Sequence, residues 1–508
     1  MSTGVPFWFD DVVSRNYPPL DEDLNVDVAI VGGGIVGLHC AHRLEGSGLR
    51  SVVLEARRVG RQATGRSTAK VTSQHGQKYS TFVKKFGQDA ARIYAQANQD
   101  AISEIVALAQ TMENQAGLEP RSAFIYATDE KQAQQLEKEA DTARSLGLPA
   151  EIVQSAELPV ATTALLRYSR QYQFDPYLYL LGLAERVARY MPIYEQSRVT
   201  DISKDGPTRL SVNGRTVTAR HVVVATQMPV INDGMFFAKA FPFAHPVAAA
   251  PLPDDKMIDG MFISAGSPSH SLRTAVRNGQ TYLIAAGGEF KNGETEQERQ
   301  VVEELRTFLA DVFGIRSITH FWTNEDFRPM DGAAFIGPAG RGRENLLVAT
   351  GFEAWGITQG VVAGAILADR ILGRTHPAAE LFDATRIKPL ASATEFTKEN
   401  LKAAGHLIGD RVLKRGTVRI GQIAPGQGGV IAYKGEQLAV RRHIDGSLTA
   451  LSASCTHMGC IVGWNETDQT WDCPCHGSRF DERGEVIAGP AVSPLKPRDV
   501  TKIEEEGA

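Results

Sequence analysis

The front of the chain contains short apolar runs separated by helical spacing. Residues 26–31 (VDVAIV) are a nearly unbroken apolar run, which is typical of a strand buried on both faces. The spacing that follows predicts a helix over about 35–44 and a second strand over 51–55. Residues 77–150 repeat apolar positions every three or four residues, which predicts helices. The pattern therefore indicates a strand–helix–strand unit followed by a helical region.

Alternation of apolar and polar residues replaces the helical spacing further along the chain. Strands are predicted around residues 121–128. Residues 197–226 alternate, turn at Asn213-Gly214 and end in the apolar strand HVVVAT. Residues 235–290 alternate again, which favours an antiparallel sheet.

The last part of the chain is predicted to be a separate all-β module. Proline and polar residues cluster at 373–395, and a helical pattern then continues to about residue 413. From there, short strands alternate with glycine turns. We therefore predict a domain boundary near residue 413.

Composition narrows the class of protein. A chain of 508 residues is too long for one core and predicts roughly two to four domains. The net charge of −5 gives no reason to expect a nucleic acid or an anionic membrane as partner. No apolar run approaches the length of about 18 residues that spans a bilayer. The N-terminus shows no export signal. We therefore expect a cytoplasmic protein without a membrane span.

A glycine motif follows the first predicted strand. Gly32, Gly34 and Gly37 form G-x-G-x-x-G, which allows a tight turn, close approach of a pyrophosphate and close packing of helix on strand. The second strand ends in Glu55, an acid suited to a ribose hydroxyl. Strand, helix and acid together predict a dinucleotide site. The motif alone does not separate FAD from NAD.

Later segments resemble one family of flavin enzymes. Residues 60–76 (GRQATGRSTAKVTSQHG), 326–338 (DFRPMDGAAFIGP) and 344–373 are similar, in this order, to segments of the glycine oxidase and D-amino-acid oxidase (DAO) family of FAD enzymes. This resemblance implies FAD as cofactor. The further FAD-binding residues that it implies are Gly65, Arg66, Ser67, Gly351, Gly356, Ile357 and Thr358.

The same resemblance implies a fold and a substrate class. It implies an α/β, Rossmann-like FAD-binding domain with an antiparallel α+β substrate domain, and an amine or amino acid as substrate. Such oxidases commonly hold a substrate carboxylate with an arginine, and Arg273 is our candidate for that catalytic role. A surface arginine is an equally good interpretation of Arg273. No second G-x-G-x-x-G follows a strand, which makes a nicotinamide electron donor less favoured.

Four of the five cysteines lie between residues 455 and 475, beside two histidines. The pairs Cys455-x-His457 and Cys473-x-x-His476 each mix sulfur with nitrogen. A structural zinc site usually groups Cys with Cys and His with His, so mixed pairs favour a [2Fe–2S] cluster of Rieske type. Zinc and a metal-free disulfide domain are the alternatives.

The window C-T-H-x-G-C…C-P-C-H-G-S resembles the Rieske family. The resemblance implies Cys455 and Cys473 as ligands of one iron, and His457 and His476 as ligands of the other. In the respiratory members the two remaining cysteines form a disulfide, here Cys460–Cys475. Ser478 matches the residue that donates a hydrogen bond to the cluster.

These observations predict three parts of the chain. Residues 1–385 form an FAD-dependent oxidoreductase, residues 386–413 a linker helix, and residues 414–508 a small all-β Rieske domain. Within the oxidoreductase, the FAD-binding parts lie at about 25–80, 197–230 and 326–375, and the substrate domain lies at about 80–196 and 231–325.

The function we predict is oxidation of an amine or amino acid at FAD, with electrons passed through the Rieske cluster to an external acceptor, which is a protein, a quinone or O₂. One alternative is a reductase or electron-transfer protein in which electrons enter at the cluster and leave through FAD. The other is a redox-sensing protein without turnover.

Overall fold

The computed structural model describes residues 2–112, 115–203, 207–231, 233–386 and 418–499. We call residues 2–386 the larger domain and residues 418–499 the C-terminal domain. The helix predicted over 386–413 lies outside the described residues, except for Arg386. None of the helices in the described ranges has the length and apolar character needed to cross a bilayer.

A sheet with a parallel centre organises the larger domain. Leu24–Val31 pairs in parallel with Ser51–Leu54 on one side and with Arg215–Val224 on the other. Alternate residues of these strands enter two different cores, which explains why the runs are apolar without interruption. The eight strands of this sheet are Ile193–Tyr194, Ser51–Leu54, Leu24–Val31, Arg215–Val224, Thr208–Val212, Val199–Ile202, Leu346–Thr350 and Phe335–Pro338.

Two helices pack directly against each other beside this sheet. They are Ile35–Arg43 and Gly356–Ile371. A Cβ on Gly364 would lie 2.7 Å from the Cβ of His39, so only glycine allows this approach. The N-termini of both helices reach the same cavity, described below.

A larger, mostly antiparallel sheet forms the other half of this domain, as predicted. Its nine strands, in spatial order, are Ser2–Thr3, His320–Pro329, Ala240–Pro251, Gln280–Ala286, Ser271–Arg277, Met261–Ser264, Ala123–Ala127, Ala164–Tyr168 and Ala150–Val153. A small sheet of Lys70–Val71, Tyr172–Gln173 and Glu119–Pro120 lies beside it.

The remaining helices surround the two sheets. Residues 77–150 are predicted to be helical, and the structure has three helices there with short strands between them. The other α-helices are Lys78–Phe86, Gln88–Gln110, Glu130–Ser145, Pro176–Val187, Thr295–Phe313 and Ala379–Phe382. The 3-10 turns are Phe7–Phe9, Gln115–Gly117, Asp233–Ala238, Asp254–Lys256 and Ile420–Gln422.

The C-terminal domain is all-β, as predicted. One four-stranded antiparallel sheet consists of Gly428–Tyr433, Glu436–Arg442, Leu448–Ser452 and Pro497–Arg498. The other consists of Gly463–Asn465, Thr470–Asp472, Arg479–Phe480 and Val486–Ala488. Trp464, Trp471 and Phe480 are fully buried in one core with the four clustered cysteines. The fold class predicted from the sequence is therefore confirmed.

Candidate cofactor sites

A cavity lies at the edge where the parallel strands end. Val31, Leu54 and Ala349, each at or next to the last residue of its strand, line this cavity. Ligands of open α/β sheets bind at this edge because the loops there are free to surround them. We call this space the first cavity.

The glycine turn approaches the first cavity with its backbone. Gly32 has φ 115°, and a Cβ there would lie 2.5 Å from the carbonyl oxygen of Ala225. A Cβ on Gly37 would lie 2.0 Å from the carbonyl oxygen of Gly32, so Gly37 acts behind the turn. Gly34 precedes the helix, whose first residues line the cavity without a side-chain cap at Gly34. The Ile35 amide donates to the Thr64 hydroxyl at 3.4 Å, and the positive end of the helix dipole at that point favours a phosphate.

Glu55 is held at the wall of the first cavity by the backbone. Its Oε2 accepts a hydrogen bond from the Gly33 amide at 2.7 Å, and its Oε1 accepts one from the Arg57 amide at 2.8 Å. Burial raises the pKa of Glu55. A carboxyl group fixed here fits a ribose hydroxyl.

Four arginines outside the set of predicted site residues also line this cavity: Arg57, Arg58, Arg61 and Arg198. The Arg61 guanidinium lies over the ring of Phe9, with 4.3 Å to the centroid. Several cations beside a helix N-terminus fit the charge of a pyrophosphate. Arg57 and Arg58 follow the acid of the second strand after one alanine, but no motif marks Arg198, which comes from another part of the chain.

Some residues of the segment 60–76 line the first cavity, and others shape its loop or contact the C-terminal domain. Thr64 and Ser67 line the first cavity. A Cβ on Gly65 would lie 2.0 Å from the carbonyl oxygen of Gly60, so Gly65 shapes the loop. The side chain of Arg66 does not line the cavity, and donates instead to Asp468 of the C-terminal domain at 2.5 Å.

The closing strand and helix reach the first cavity at two of four predicted residues. Gly356 and Ile357 line it. Gly351, with φ 80°, packs on Pro329, and the Thr358 hydroxyl is within hydrogen-bonding distance of His75 Nε2 at 3.2 Å. Gly351 and Thr358 therefore support the wall from behind.

Unused polar groups in the first cavity fit a flavin. Asn324 lines it, and its Oδ1 is buried with no partner among the described residues. Such an acceptor needs a donor, which a flavin ring offers. Asp326, two residues further along the same strand, accepts a hydrogen bond from the amide of Ala354 at 2.5 Å, and burial raises its pKa to about 7. The residues present therefore fit FAD.

A second cavity adjoins the first, and Ala354 lines both. Three basic side chains and three carboxylates line the second cavity: Lys78, Lys85, Arg328, Glu289, Asp331 and Glu353. His75 and Trp355 stack with 4.7 Å between their ring centroids at its wall. Burial lowers the pKa of His75 well below its usual value, so this ring is neutral.

The charges of the second cavity are linked in a chain. Arg328 Nε donates to Glu353 at 3.0 Å and its Nη2 donates to Glu289 at 2.5 Å. Lys78 Nζ donates to the other oxygen of Glu353 at 2.9 Å. Burial opposes ionisation of Glu353, but Lys78 and Arg328 hold its pKa below the usual value. The cavity therefore offers fixed charges of both signs.

Arg273, our candidate for binding a substrate carboxylate, lines neither cavity. It is 3% exposed, and its guanidinium donates to the carbonyl oxygens of Ala69 at 2.8 Å and Phe174 at 2.9 Å. It also lies over the ring of Trp8. Its hydrogen bonds join three segments of the fold. Arg328, in the motif at 326–338, is the arginine that the second cavity presents.

The C-terminal domain brings the predicted iron ligands together on two loops. Cys455 and Cys473 are free, buried thiols. The two thiols hydrogen-bond each other, which lowers the pKa of Cys455 and raises that of Cys473 well above its usual value, so their sulfurs lie close together. His457 and His476 stand with 5.0 Å between ring centroids. Burial lowers the pKa of His457, and it lowers that of His476 to about 3, so both rings are neutral.

The remaining two cysteines are joined in a disulfide, Cys460–Cys475. The sulfurs of Cys460, Cys473 and Cys475 lie within 4.8 Å of one another. Because two of these sulfurs are bonded to each other, only Cys473 of this group is free to bind iron.

The loops fit a [2Fe–2S] cluster in two further respects. The Nδ1 of His457 is buried with no partner among the described residues, as expected of a nitrogen reserved for a metal. The Ser478 hydroxyl hydrogen-bonds the sulfur of Cys455 and accepts from the amide of Ala491 at 3.0 Å. Hydrogen bonds of this kind tune the cluster.

The side chains of His457 and His476, in the C-terminal domain, face the larger domain. The ring of Phe237 lies edge-on to His457 and His476, with centroids 5.4 Å and 5.1 Å away. On the neighbouring loop, Gly477 packs against Glu325 and Phe327 so closely that a Cβ would lie 2.7 Å from Glu325 Oε1. The two ligand histidines are therefore covered in part by the protein's own larger domain.

An ionic cluster at the centre of this interface joins the two domains. Asp468 accepts hydrogen bonds from Arg66 at 2.5 Å, from Arg479 at 2.7 Å and from the Thr323 hydroxyl at 2.7 Å. Arg479 also donates to Asp472 at 3.0 Å. These side chains are almost fully buried. No sequence motif marks Asp468, because its partners come from distant segments.

Comparison with known proteins agrees with this geometry. Residues 27–370 match the family model of FAD dependent oxidoreductases (DAO), and residues 417–499 match the model of the Rieske [2Fe-2S] domain. The chain is 32% identical over 496 residues to the Rieske 2Fe-2S iron-sulfur protein YhfW of Bacillus subtilis, covering 97% of each chain.

Shorter and more distant similarities fall on one domain each. The cytochrome b6-f complex iron-sulfur subunit of Chlorobaculum tepidum is 44% identical over 80 residues, which are 16% of this chain and 43% of that one. Glycine oxidase from Geobacillus kaustophilus has a TM-score of 0.60 at 19% identity, over 72% of this chain and 100% of its own. L-proline dehydrogenase from P. horikoshii has a TM-score of 0.58 at 16% identity, over 72% and 98%.

Fold and sites define a flavoprotein with an iron–sulfur domain behind it. The chain belongs to the family of FAD-dependent oxidoreductases (DAO) and carries a C-terminal Rieske [2Fe-2S] domain. Its cofactors are FAD and a [2Fe–2S] cluster. The predictions of family, fold class and cofactors are confirmed.

Proposed function

We propose that this protein oxidises an amino acid or an amine at FAD and passes the electrons through the Rieske cluster to an external acceptor. When bound, FAD takes two electrons from a substrate C–H bond, and the cluster transfers electrons singly. The observation that carries the proposal is the contact between the two sites: residues of the C-terminal domain line the first cavity, and Phe237 of the larger domain covers the cluster histidines.

The second cavity supports the substrate class. Its three basic side chains are matched by three carboxylates, so it suits a molecule that carries both charges, as an amino acid does. Arg328 is our preferred partner for a substrate carboxylate, and Glu289 or Glu353 for its ammonium group. Glycine oxidase and L-proline dehydrogenase, whose folds are similar to this one, are named after amino acids.

We also propose site residues for both cofactors. For FAD they are Gly32, Gly34, Glu55, Ser67, Gly356 and Ile357 at the first cavity, with Gly37, Gly65, Gly351 and Thr358 behind its wall. For the cluster they are Cys455 and Cys473 on one iron, His457 and His476 on the other, and Ser478 beside them. Domain limits near residues 385 and 414, and a cytoplasmic location, stay predictions from the sequence.

An anaerobic mixing experiment tests the proposal. The full protein, with both cofactors, is mixed with a panel of amino acids and amines while flavin absorbance and the EPR signal of the reduced cluster are followed. We expect at least one member to bleach the flavin and then reduce the cluster. Arg328→Lys keeps the positive charge but loses the paired N–H groups, so we expect it to raise the substrate concentration needed for half-bleaching.

The other outcomes of this experiment contradict the proposal. Bleaching only by a reduced ferredoxin, a one-electron donor, would identify a reductase in which electrons enter at the cluster. Bleaching only by NAD(P)H would identify a nicotinamide-dependent reductase in which a hydride reduces FAD directly. No response to any donor would identify a redox-sensing protein. Flavin bleaching without cluster reduction would show oxidation of the substrate but refute the electron path.

A further inference from the structure

The C-terminal domain contributes directly to the wall of the first cavity. Ile487, Ala488 and Gly489 line it together with the glycine turn and Glu55 of the larger domain. They lie on and just after the strand Val486–Ala488, which belongs to a sheet of the C-terminal domain. The cavity is therefore enclosed by segments from both domains.

Two side chains of the larger domain hold this strand in place. Arg198 Nη2 donates to the carbonyl oxygen of Val486 at 2.7 Å, and Gln62 Nε2 donates to that of Ile487 at 3.3 Å. Arg198 and Gln62 themselves line the first cavity. The hydrogen bonds across the domain interface therefore occur at the cavity wall.

The wall also has no spare room at its end. A Cβ on Gly489 would lie 2.7 Å from the Cγ1 of Val230, another residue that lines the cavity. The backbone of the C-terminal domain thus lies in van der Waals contact with the larger domain at this point.

We propose that the Rieske domain completes the FAD site, so that FAD is bound by residues of both domains and leaves only when the C-terminal domain moves away. Ile487, Ala488 and Gly489 are FAD-binding residues in this account. Asp468 is a positioning residue, because its bonds to Arg66 and Arg479 hold the C-terminal domain against the larger one. This inference concerns retention of FAD and is independent of the substrate and of the direction of electron flow.

The rate of FAD release tests the proposal without turnover. The holoprotein is diluted, and free FAD is followed by its fluorescence. Asp468→Asn leaves two buried arginines short of a counter-charge and weakens the contact between the domains, so we expect release to accelerate about tenfold or more. Glu466→Gln is the matched control. It removes an ion pair to Arg299 across the same interface but at the exposed rim, and we expect a change of less than about twofold.

A second variant keeps the ionic cluster intact. Ile487→Ala removes wall contacts of the C-terminal domain only, and we expect FAD release to accelerate by roughly threefold or more. The EPR signal of the reduced cluster verifies that each variant retains a folded C-terminal domain. If Asp468→Asn loses that signal, Ile487→Ala decides the outcome.

Hydrogen exchange provides a direct measurement on the unmodified protein. FAD-depleted protein that retains its cluster is compared with the holoprotein. We expect FAD to slow exchange of the amides at Val486–Ala488 in the C-terminal domain. Unchanged exchange there, together with unchanged FAD release in Ile487→Ala, would overturn the proposal, whatever the protein is found to oxidise.

Discussion

Two carboxylates on one hairpin of the C-terminal domain reach arginines of the larger domain in very different surroundings. The Asp468 side chain is 4% exposed and its partner Arg66 is 12% exposed. Glu466 is 25% exposed and its partner Arg299 is 53% exposed. Water screens the second pair and is excluded from the first. The buried centre of this interface, and not its exposed rim, therefore determines the relative position of the two cofactor domains.

The largest expected effect is that of Asp468→Asn. We expect the free energy of opening of the hairpin 463–472, measured by hydrogen exchange, to fall by about 3–5 kcal/mol, because an unpaired charge is left buried. Arg66 would then lose its carboxylate partner, and Arg479 would keep Asp472 and the more distant Glu325. A loss below about 1 kcal/mol would place this pair in the same class as the rim and would remove the contrast.

Glu298 makes the contact between the two domains dependent on pH. Its carboxylate accepts from the amides of Glu466 at 3.1 Å and Thr467 at 3.0 Å, and burial raises its pKa to about 7. The docked state therefore holds a proton between pH 4.5, the ordinary pKa, and about 7, where the separated state does not. Docking must then weaken as pH rises through this window, by up to roughly 3 kcal/mol.

The variant Glu298→Gln checks this expectation. A neutral amide removes the titration, so the opening free energy of the hairpin should vary less between pH 5 and pH 8 than in the parent protein. Glu303→Gln, on the exposed side of the same helix, is the control and should leave the pH dependence unchanged. An equal slope in all three proteins would contradict the assignment to Glu298.

Backbone contact between the domains gives a smaller effect without any charge. A Cβ on Gly463 would lie 2.0 Å from the carbonyl oxygen of Gly293 in the larger domain. Gly463→Ala should therefore reduce the opening free energy by about 1–3 kcal/mol. Gly421→Ala, where a Cβ meets nothing within 4 Å, is the matched control. Equal effects of the two substitutions would show that the interface adapts.

The smallest expected effect is that of Glu466→Gln. We expect a loss below about 1 kcal/mol, and that loss should shrink further at high salt. Opening free energies from hydrogen exchange at low and high ionic strength measure it. A salt-insensitive loss larger than that of Gly463→Ala would reverse the expected ranking of centre over rim.

The sequence was sufficient where the chemistry is local. Gly32, Gly34 and Glu55 lie within one strand–helix–strand unit, so their spacing indicated a dinucleotide site, and the resemblance to the DAO family then implied FAD. Cys455 to His476 lie within one window, where the mixed Cys and His pairs indicated the Rieske cluster. The change between helical spacing and alternation predicted the helices and strands, and the family resemblance implied the fold class of the larger domain.

What the sequence did not reveal depends on segments that meet only in the folded protein. Arg198 and Ile487 reach the first cavity from distant positions, and neither stands in a motif. Arg66 lies within a flavin-type segment, yet its side chain binds Asp468 across the interface. Arg273 was a candidate because the resembling oxidases hold a substrate carboxylate with an arginine, but its guanidinium binds backbone carbonyls. Side-chain direction, which spacing does not encode, decided these cases.

We propose that FAD and the cluster form one redox unit within a single chain. Flash reduction of the flavin in the anaerobic holoprotein tests this proposal. The flavin and the cluster are followed together, and Cys473→Ser serves as the variant without a cluster. We predict that flavin reoxidation matches cluster reduction at a rate independent of protein concentration, and that the flavin stays reduced in Cys473→Ser. A rate proportional to protein concentration, or no transfer at all, would contradict the account.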